Sequence, residues 1–264
     1  HAGPEVIHIN YKSAKVDQIY FPQTEVVGHI GLSLERLMEL IDVPSSYPLE
    51  SFLKVKNNVD EKIHTGSDSD NFPIKPQRVV SDIRSIMGYH DIIALDNGVY
   101  KIWFARNYPA FQPNTVLLDN ALATMGAGLP SAMMAAMLFP NRKVMAICGD
   151  GGFMMNSQEL ETAVRLSLNL VVVVLNDSSY GMIRWKQSGA GFPDWGLEYK
   201  NPDFIKYAES YGANGHRVES AEGLFSVLNE AFKAKGVHLV DVPVDYSENV
   251  KYLITDLANH KTIL

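Results

Sequence analysis

Cysteine, long apolar runs and positive charge are all scarce in this sequence. A single cysteine, Cys148, excludes an internal disulfide framework and a cysteine-based zinc site. It is typical of a reducing compartment, so we expect a cytoplasmic protein. No run of 18 apolar residues occurs, which excludes a transmembrane helix and predicts no membrane partner. Thirty acidic side chains against 23 Lys and Arg give a net charge of −7, which argues against nucleic-acid binding.

What is present describes a globular α/β protein. Hydrophobic residues make up 46% of the 264 positions and charged residues 20%, so a substantial core is expected. Residues 1–42 are too few for a complete α/β domain and predict the C-terminal end of one. Residues 43–75, interrupted by prolines and polar runs, predict a linker with one short helix, and 76–264 predict the main domain with a C-terminal tail. Because the chain starts at His1 and enters a strand pattern directly, we expect a fragment of a longer protein.

Local patterns in the first part predict two strands and a helix. The alternation of Glu5–Tyr11 and the apolar stretch Val26–Ile30 are typical of strands. Apolar residues at helical spacing then predict a helix that Ser33 caps and that ends near Ile41.

Beyond Pro76, strands alternate with helices. The six predicted strands are Asp91–Leu95, Thr115–Leu118, Lys143–Cys148, Leu170–Asn176, His216–Val218 and His238–Val244. The predicted helices are Gln77–Met87, Tyr100–Tyr108, Gly128–Leu138, Ser157–Leu166 with Ser157 as its cap, Pro202–Tyr211 and Ala221–Lys235. This alternation predicts a parallel six-stranded sheet with helices on both faces. Ligands of such sheets bind at the carboxyl ends of the strands.

Two of those strand ends carry acidic residues beside glycines. Asp150 lies in the segment Gly149–Gly152, and Asp177 follows the next strand along the chain. Glycines there allow backbone N–H groups to approach an anion, and two carboxylates at neighbouring strand ends could hold Mg²⁺ against it. The pattern therefore predicts a diphosphate bound through a divalent metal. A tight turn in which Asp150 only caps the following helix is the alternative.

The spacing of these motifs resembles a known family. Gly-Asp-Gly, 24 residues and then Asn176-Asp177 are similar to the cofactor motif of thiamine-diphosphate enzymes, whose usual ending is Asn-Asn. The resemblance extends to 96–108, 119–137 and 149–187, where it is closest to the large subunit of acetolactate synthases. It implies the thiamine-diphosphate-binding fold, with thiamine diphosphate and Mg²⁺ as cofactors; FAD binding in a missing middle domain is left open.

The resemblance also implies roles for individual residues. Asp150 and Asp177 would ligate the metal through their side chains, and Ser179 through its backbone carbonyl. Met125 would be the catalytic-site residue that supports the bent cofactor, although plain core packing is the alternative. The other implied cofactor contacts are Gly98, Val99, Tyr100, Gly151, Gly152, Gly181 and Met182. For Trp185 a place in the acceptor pocket and a structural role stay equally open.

By this resemblance the parent enzyme decarboxylates pyruvate and condenses it with a second pyruvate to 2-acetolactate, in branched-chain amino acid biosynthesis. The family's catalytic glutamate lies in an N-terminal pyrimidine-binding domain that this chain lacks, so we expect the chain alone to be inactive and the intact protein to be a homo-oligomer. The alternatives are another thiamine-diphosphate decarboxylase, a carboligase or lyase, pyruvate oxidase, or an inactive scaffold. A nucleotide-binding protein is disfavoured because neither GxGxxG nor GxxxxGK[ST] occurs.

Overall fold

The computed structural model describes residues 5–15, 21–41 and 49–255. By its internal packing the chain divides into two units, residues 1–53 and 54–264. In the described residues no helix is both long and apolar enough to cross a membrane.

The first unit contains a parallel strand pair and a helix. Its strands are β1 (Ile7–Asn10) and β2 (Thr24–Val27), and its helix is α1 (Ile30–Leu40). The prediction that Ser33 caps this helix is wrong. The N-cap is His29, whose Nδ1 accepts from the backbone N–H of the residue three positions on, at 3.3 Å. Ser33 already lies inside the first turn, because its own N–H donates to the His29 carbonyl at 2.9 Å.

The predicted short helix of the linker is instead the 16-residue helix α2 (Leu49–His64). No proline interrupts these 16 residues, and an ion pair of 2.8 Å between Lys56 and Asp60, one turn apart, supports the helix. The prolines that suggested an irregular segment all lie outside this helix, at 44, 48 and 73.

The second unit is built on a six-stranded, wholly parallel sheet, which confirms the predicted fold class. Its strands are β3 (Ile92–Leu95), β4 (Val116–Leu118), β5 (Val144–Gly149), β6 (Leu170–Asn176), β7 (Asn214–Arg217) and β8 (Val237–Pro243). Their order across the sheet is β4-β3-β5-β6-β8-β7. Its helices are α3 (Pro76–Ile86), α4 (Tyr100–Asn107), α5 (Gly128–Leu138), α6 (Asp150–Phe153), α7 (Glu159–Arg165), α8 (Gly181–Gly189), α9 (Phe204–Ser210) and α10 (Gly223–Lys233), and a π-helical turn spans Lys251–Thr255.

Hydrophobic cores cover both faces of the sheet. Successive residues of each central strand point to opposite faces, so Val171 and Val173 of β6 join the core under α3, α4 and α10. Val172 and Val174 join the core under α5, α7 and α9. The continuous apolar run of β6 is therefore buried throughout, as expected for a central parallel strand.

Two helical details differ from the predictions. Helix α7 begins at Glu159, and Ser157 does not cap it, because its hydroxyl bonds the Tyr207 hydroxyl of α9 at 2.7 Å. Helix α8 was not predicted. Its apolar side chains are few and none of its residues is fully buried, so the helix shows only a weak pattern of apolar positions in the sequence.

Candidate active site

A cleft opens at the carboxyl ends of the central strands. From β3 the chain crosses to the edge strand β4 and then returns past β3 to β5, so the winding direction of the sheet reverses between β3 and β5. The loops that leave two such strands diverge, and a crevice forms between them. The register pairs Gly149 at the end of β5 with Leu175 of β6, so the segments that begin at Asp150 and Asp177 leave adjacent strands side by side.

The cleft is lined by residues that follow the central strands. Every residue to which the sequence assigned a cofactor or metal role lines it: Gly98, Val99, Tyr100, Met125, Asp150, Gly151, Gly152, Asp177, Ser179, Gly181 and Met182. Asn97, Gly149, Leu175, Tyr180, Ile183 and Tyr246 complete the lining. Residues from five separate segments of the chain therefore meet in one cavity.

Asp150 is buried, with 1% of its surface exposed, and its carboxylate accepts four hydrogen bonds. Oδ1 accepts from the Gly151 N–H and from the Tyr199 hydroxyl, both at 2.8 Å. Oδ2 accepts from the Ser178 N–H at 2.7 Å and from the Asn201 amide at 2.6 Å. Asp150 does not cap the following turn, because the N-cap of α6 is Gly149 and no side chain caps this helix. Three of the four contacts instead come from residues at least 28 positions away in the sequence. Neither Tyr199 nor Asn201 was singled out from the sequence.

Asp177 is the second carboxylate of the cleft. Burial, together with the nearby charge of Asp150, raises the pKa of Asp177 to about 7, while Arg184 acts in the opposite direction. The two aspartates are therefore close enough to repel each other when both are ionised, and a cation between them would relieve that repulsion. No group of three or more His, Cys, Asp or Glu side chains with metal-binding geometry occurs in the described ranges.

The turn after β6 supplies further oxygen atoms. Ser179 is 4% exposed, and its hydroxyl oxygen has no hydrogen-bond partner among the described residues. Its carbonyl accepts from the Gly181 N–H at 3.0 Å and keeps a second lone pair. The N–H groups of Gly151 and Gly181 thus both make local hydrogen bonds, which a diphosphate would have to replace.

Glycine at position 151 is required by packing as well. A Cβ atom there would lie 2.7 Å from the Tyr199 hydroxyl and 2.8 Å from the Tyr180 ring. The motif therefore needs a glycine whether or not a ligand approaches it.

Met125 is held in the cleft by a buried carboxylate that the sequence analysis did not assign. Asp96, 1% exposed, accepts from the Gly126 N–H at 2.8 Å and from the Ala127 N–H at 3.2 Å. Burial raises the pKa of Asp96 although these backbone hydrogen bonds act against the shift. Gly126 has φ of +89°, which a residue with a side chain rarely adopts. The turn that presents Met125 is thus fixed from the end of β3.

Two tyrosines from distant segments line the cleft. Tyr100, at the start of α4, is 4% exposed, and Tyr246 arrives from the segment after β8. Within the described part of the chain neither hydroxyl has a hydrogen-bond partner. Tyr246 was missed because it lies about 70 residues beyond Asp177 and belongs to no recognisable motif. Trp185 lines a neighbouring cavity, with Asp177 and Tyr246, and does not line the cleft itself.

Comparison with known proteins identifies the family. The model of the thiamine pyrophosphate enzyme C-terminal TPP binding domain matches residues 96–242, which is more than half of the chain and includes almost all of the cleft. The chain belongs to the thiamine pyrophosphate enzyme family. In this family member the matched region begins at Asp96 and ends in β8.

Several curated relatives of this thiamine pyrophosphate enzyme domain are acetolactate synthases. The acetolactate synthase of Bacillus subtilis is 34% identical over 249 residues, which cover 93% of this chain and 43% of the relative. The catabolic acetolactate synthase of Raoultella terrigena is 33% identical, over 92% of this chain and 44% of the relative. The acetolactate synthase isozyme 3 large subunit of Escherichia coli is 30% identical, over 93% and 44%. The chain thus spans less than half the length of the relatives it matches.

Proposed function

We propose that this chain is the diphosphate- and metal-binding part of a thiamine-diphosphate-dependent acetolactate synthase. The observation that carries the proposal is the convergence in one cleft of every residue to which the family's motifs assign a cofactor or metal role. The similarity to acetolactate synthases over more than 90% of the chain supports the choice among reactions. The substrate is then pyruvate, the product is 2-acetolactate, and the intact protein is a homo-oligomer.

The oxygen atoms of the cleft fit a magnesium ion held against a diphosphate. Mg²⁺ prefers oxygen ligands and is usually bound by one or two carboxylates together with phosphate oxygens. Asp150 and Asp177 are the two carboxylates, and the Ser179 carbonyl is a third oxygen at the same strand ends. Burial and the charge of Asp150 raise the pKa of Asp177, and a cation bound between the two carboxylates would favour the ionised form of both.

The remaining residues bind and orient the cofactor. Thiamine diphosphate, when bound, supplies the electron sink that allows a 2-oxo acid to lose CO₂. Met125, on a turn held by Asp96, would contact and support the cofactor. The buried hydroxyls of Tyr100 and Ser179, which have no partner within the described ranges, are available to a polar ligand.

The test is calorimetric binding of thiamine diphosphate and Mg²⁺ to the 264-residue chain. Asp150→Ala should abolish Mg²⁺-dependent binding, whereas Asp177→Asn should largely preserve it because the amide keeps a carbonyl oxygen. Asp91→Ala is the matched control. Asp91 also accepts from backbone N–H groups, those of Gly88 at 2.6 Å and Lys143 at 2.9 Å, but at the opposite end of β3.

An activity measurement accompanies the binding experiment. The 264-residue chain with both cofactors should form no acetolactate from pyruvate, since the resemblance places the proton-relay glutamate in another domain. The full-length parent protein should form acetolactate rather than acetaldehyde or acetyl phosphate. Unchanged cofactor affinity in the Asp150 variant would refute the metal assignment. Turnover by the chain alone would refute the division of roles.

A further inference from the structure

The segment between α8 and α9 lies outside the Gly-Asp-Gly to Asn-Asp motif, yet it contacts the central carboxylate of the cleft. Tyr199 and Asn201 follow Asp150 by 49 and 51 positions. They provide two of the four hydrogen bonds that Asp150 accepts, one to each carboxylate oxygen. The other two donors are backbone N–H groups, of Gly151 and Ser178.

This segment is fastened to the turn after β6 by backbone pairing. The Tyr180 N–H donates to the Leu197 carbonyl at 3.0 Å, and the Tyr199 N–H donates to the Ser178 carbonyl at 3.2 Å. Ser179 and Glu198 form an antiparallel bridge between these two bonds. The rings of Tyr180 and Tyr199 pack with their centroids 4.8 Å apart. Tyr199 is therefore anchored through its backbone and its ring, so its hydroxyl is directed at Asp150.

Asn201 joins the ends of two strands. Its amide nitrogen lies 2.6 Å from Oδ2 of Asp150, after β5, and 3.0 Å from Oδ1 of Asn176, the last residue of β6. An amide group carries two hydrogen atoms, so both bonds can form together. The carboxylate of Asp150 is thus tied to the neighbouring strand, in addition to its own one-turn helix α6.

We infer that Tyr199 and Asn201 are positioning residues for the metal ligand Asp150, an inference that rests on the proposed function. Mg²⁺ demands near-ideal octahedral geometry, so a ligand that can rotate binds it weakly. Groups that hold a ligand by hydrogen bonds fix its orientation, and their loss commonly reduces metal affinity 10- to 100-fold. A carboxylate has about four lone-pair directions, all engaged here by donors. A metal bound to Asp150 therefore replaces one donor while the others keep the carboxylate in place.

The experiment measures Mn²⁺ binding to the 264-residue chain in the presence of thiamine diphosphate, by electron paramagnetic resonance of the free ion. Asn201→Ala and Tyr199→Phe should each weaken Mn²⁺ binding about 10-fold or more. Two matched controls remove similar groups elsewhere. Tyr207→Phe deletes a hydroxyl bonded to Ser157 at 2.7 Å, and Asn214→Ala deletes an amide that donates to the Val237 carbonyl at 3.3 Å. Both controls should bind Mn²⁺ as the unaltered chain does.

A second readout separates positioning from a purely structural role. The thermal unfolding temperature of each metal-free variant is measured beside its Mn²⁺ affinity. A structural role would lower the unfolding temperature and leave the affinity of the folded protein unchanged, which would overturn the inference. Tyr199→Phe keeps the ring contact with Tyr180, so it decides the question if Asn201→Ala does not fold. If the unaltered chain binds no Mn²⁺, the proposed metal site itself fails, and this inference fails with it.

Discussion

Phe153 is the residue whose loss we expect to damage the cleft most without touching it. It ends α6, the single turn that begins with Asp150. One isolated turn has almost no stability of its own, so its position depends on packing. The Phe153 ring is 1% exposed and makes edge-to-face contacts with Phe204 at 5.7 Å and with Tyr207 at 6.2 Å, both on α9.

The structure sets the magnitude for Phe153→Ala. Removal of a fully buried phenylalanine costs about 3–5 kcal/mol, and each aromatic pair contributes about 0.5–1.5 kcal/mol beyond its buried area. We therefore expect the free energy of unfolding to fall by about 4 kcal/mol. For a protein of this size that corresponds to a decrease in Tm of about 8–16 °C. Phe153→Leu keeps most of the volume and should cost about 1–2 kcal/mol.

The assay is urea unfolding followed by far-ultraviolet circular dichroism, with the m value as a check that the same surface is exposed. Phe225→Ala on α10 is the control, because 41% of Phe225 is exposed and its loss should cost less than about 1 kcal/mol. A loss below about 1.5 kcal/mol for Phe153→Ala would refute the reasoning. In that case the position of α6 would not depend on the contact with α9.

Two further predictions concern pH and backbone conformation. His216 and His238 stack at the sheet edge with ring nitrogens 3.0 Å apart, and burial lowers the pKa of both. The two histidines therefore bind protons more readily in the unfolded chain than in the folded one. The stability that the neutral pair contributes is complete above a pH of about 6.5 and is lost as the pH falls below that value. The raised pKa of Asp177 changes the stability in the opposite direction over this pH range. The urea midpoint is therefore measured from pH 7.5 to 5.5 for both the unaltered chain and His238→Gln, so that the effect of Asp177 is common to the two. An identical pH dependence of the two midpoints would contradict the prediction. Gly126→Ala should cost about 2–3 kcal/mol and weaken thiamine diphosphate binding, because its φ is +89° and a Cβ atom would lie 2.8 Å from neighbouring side chains. Gly191→Ala is the control, because Gly191 has φ of +75° but an added Cβ atom would meet open space. Its free energy of unfolding in urea should fall by only about 1 kcal/mol. An equal loss at both positions would show that crowding around the Cβ atom is unimportant.

Many features of the fold follow from local sequence patterns. The apolar run of β6 predicts a strand buried on both faces, and the structure confirms it. The regular alternation beyond Pro76 predicts the parallel sheet, because each crossover in such a sheet needs a helix between parallel strands. The 24 residues between Gly151 and Asn176 are enough for one helix and one strand, so Asp150 and Asp177 return to the same edge of the sheet.

Helix ends were less predictable. A serine before an apolar stretch suggested a cap at Ser33 and at Ser157, and both predictions are wrong. A capping side chain must lie beside backbone N–H groups that have no partner within the helix. Whether a serine does so depends on where the helix begins and on which other groups its hydroxyl can reach, and the local pattern of apolar residues reports neither. At Ser157 the competing partner is Tyr207, which is 50 positions away in the sequence.

Only the tertiary structure determined the surroundings of the carboxylates. Tyr199 and Asn201 reach Asp150 because their segment pairs with the turn after β6, and Tyr246 reaches the cleft because β8 lies beside β6 although β7 precedes it in the chain. A sequence pattern reports the burial of each residue along one element, whereas these contacts join loops whose proximity depends on strand order. Local patterns thus identify the strands that carry the two acids, whereas the packing of distant segments fixes the groups that hold those acids in place.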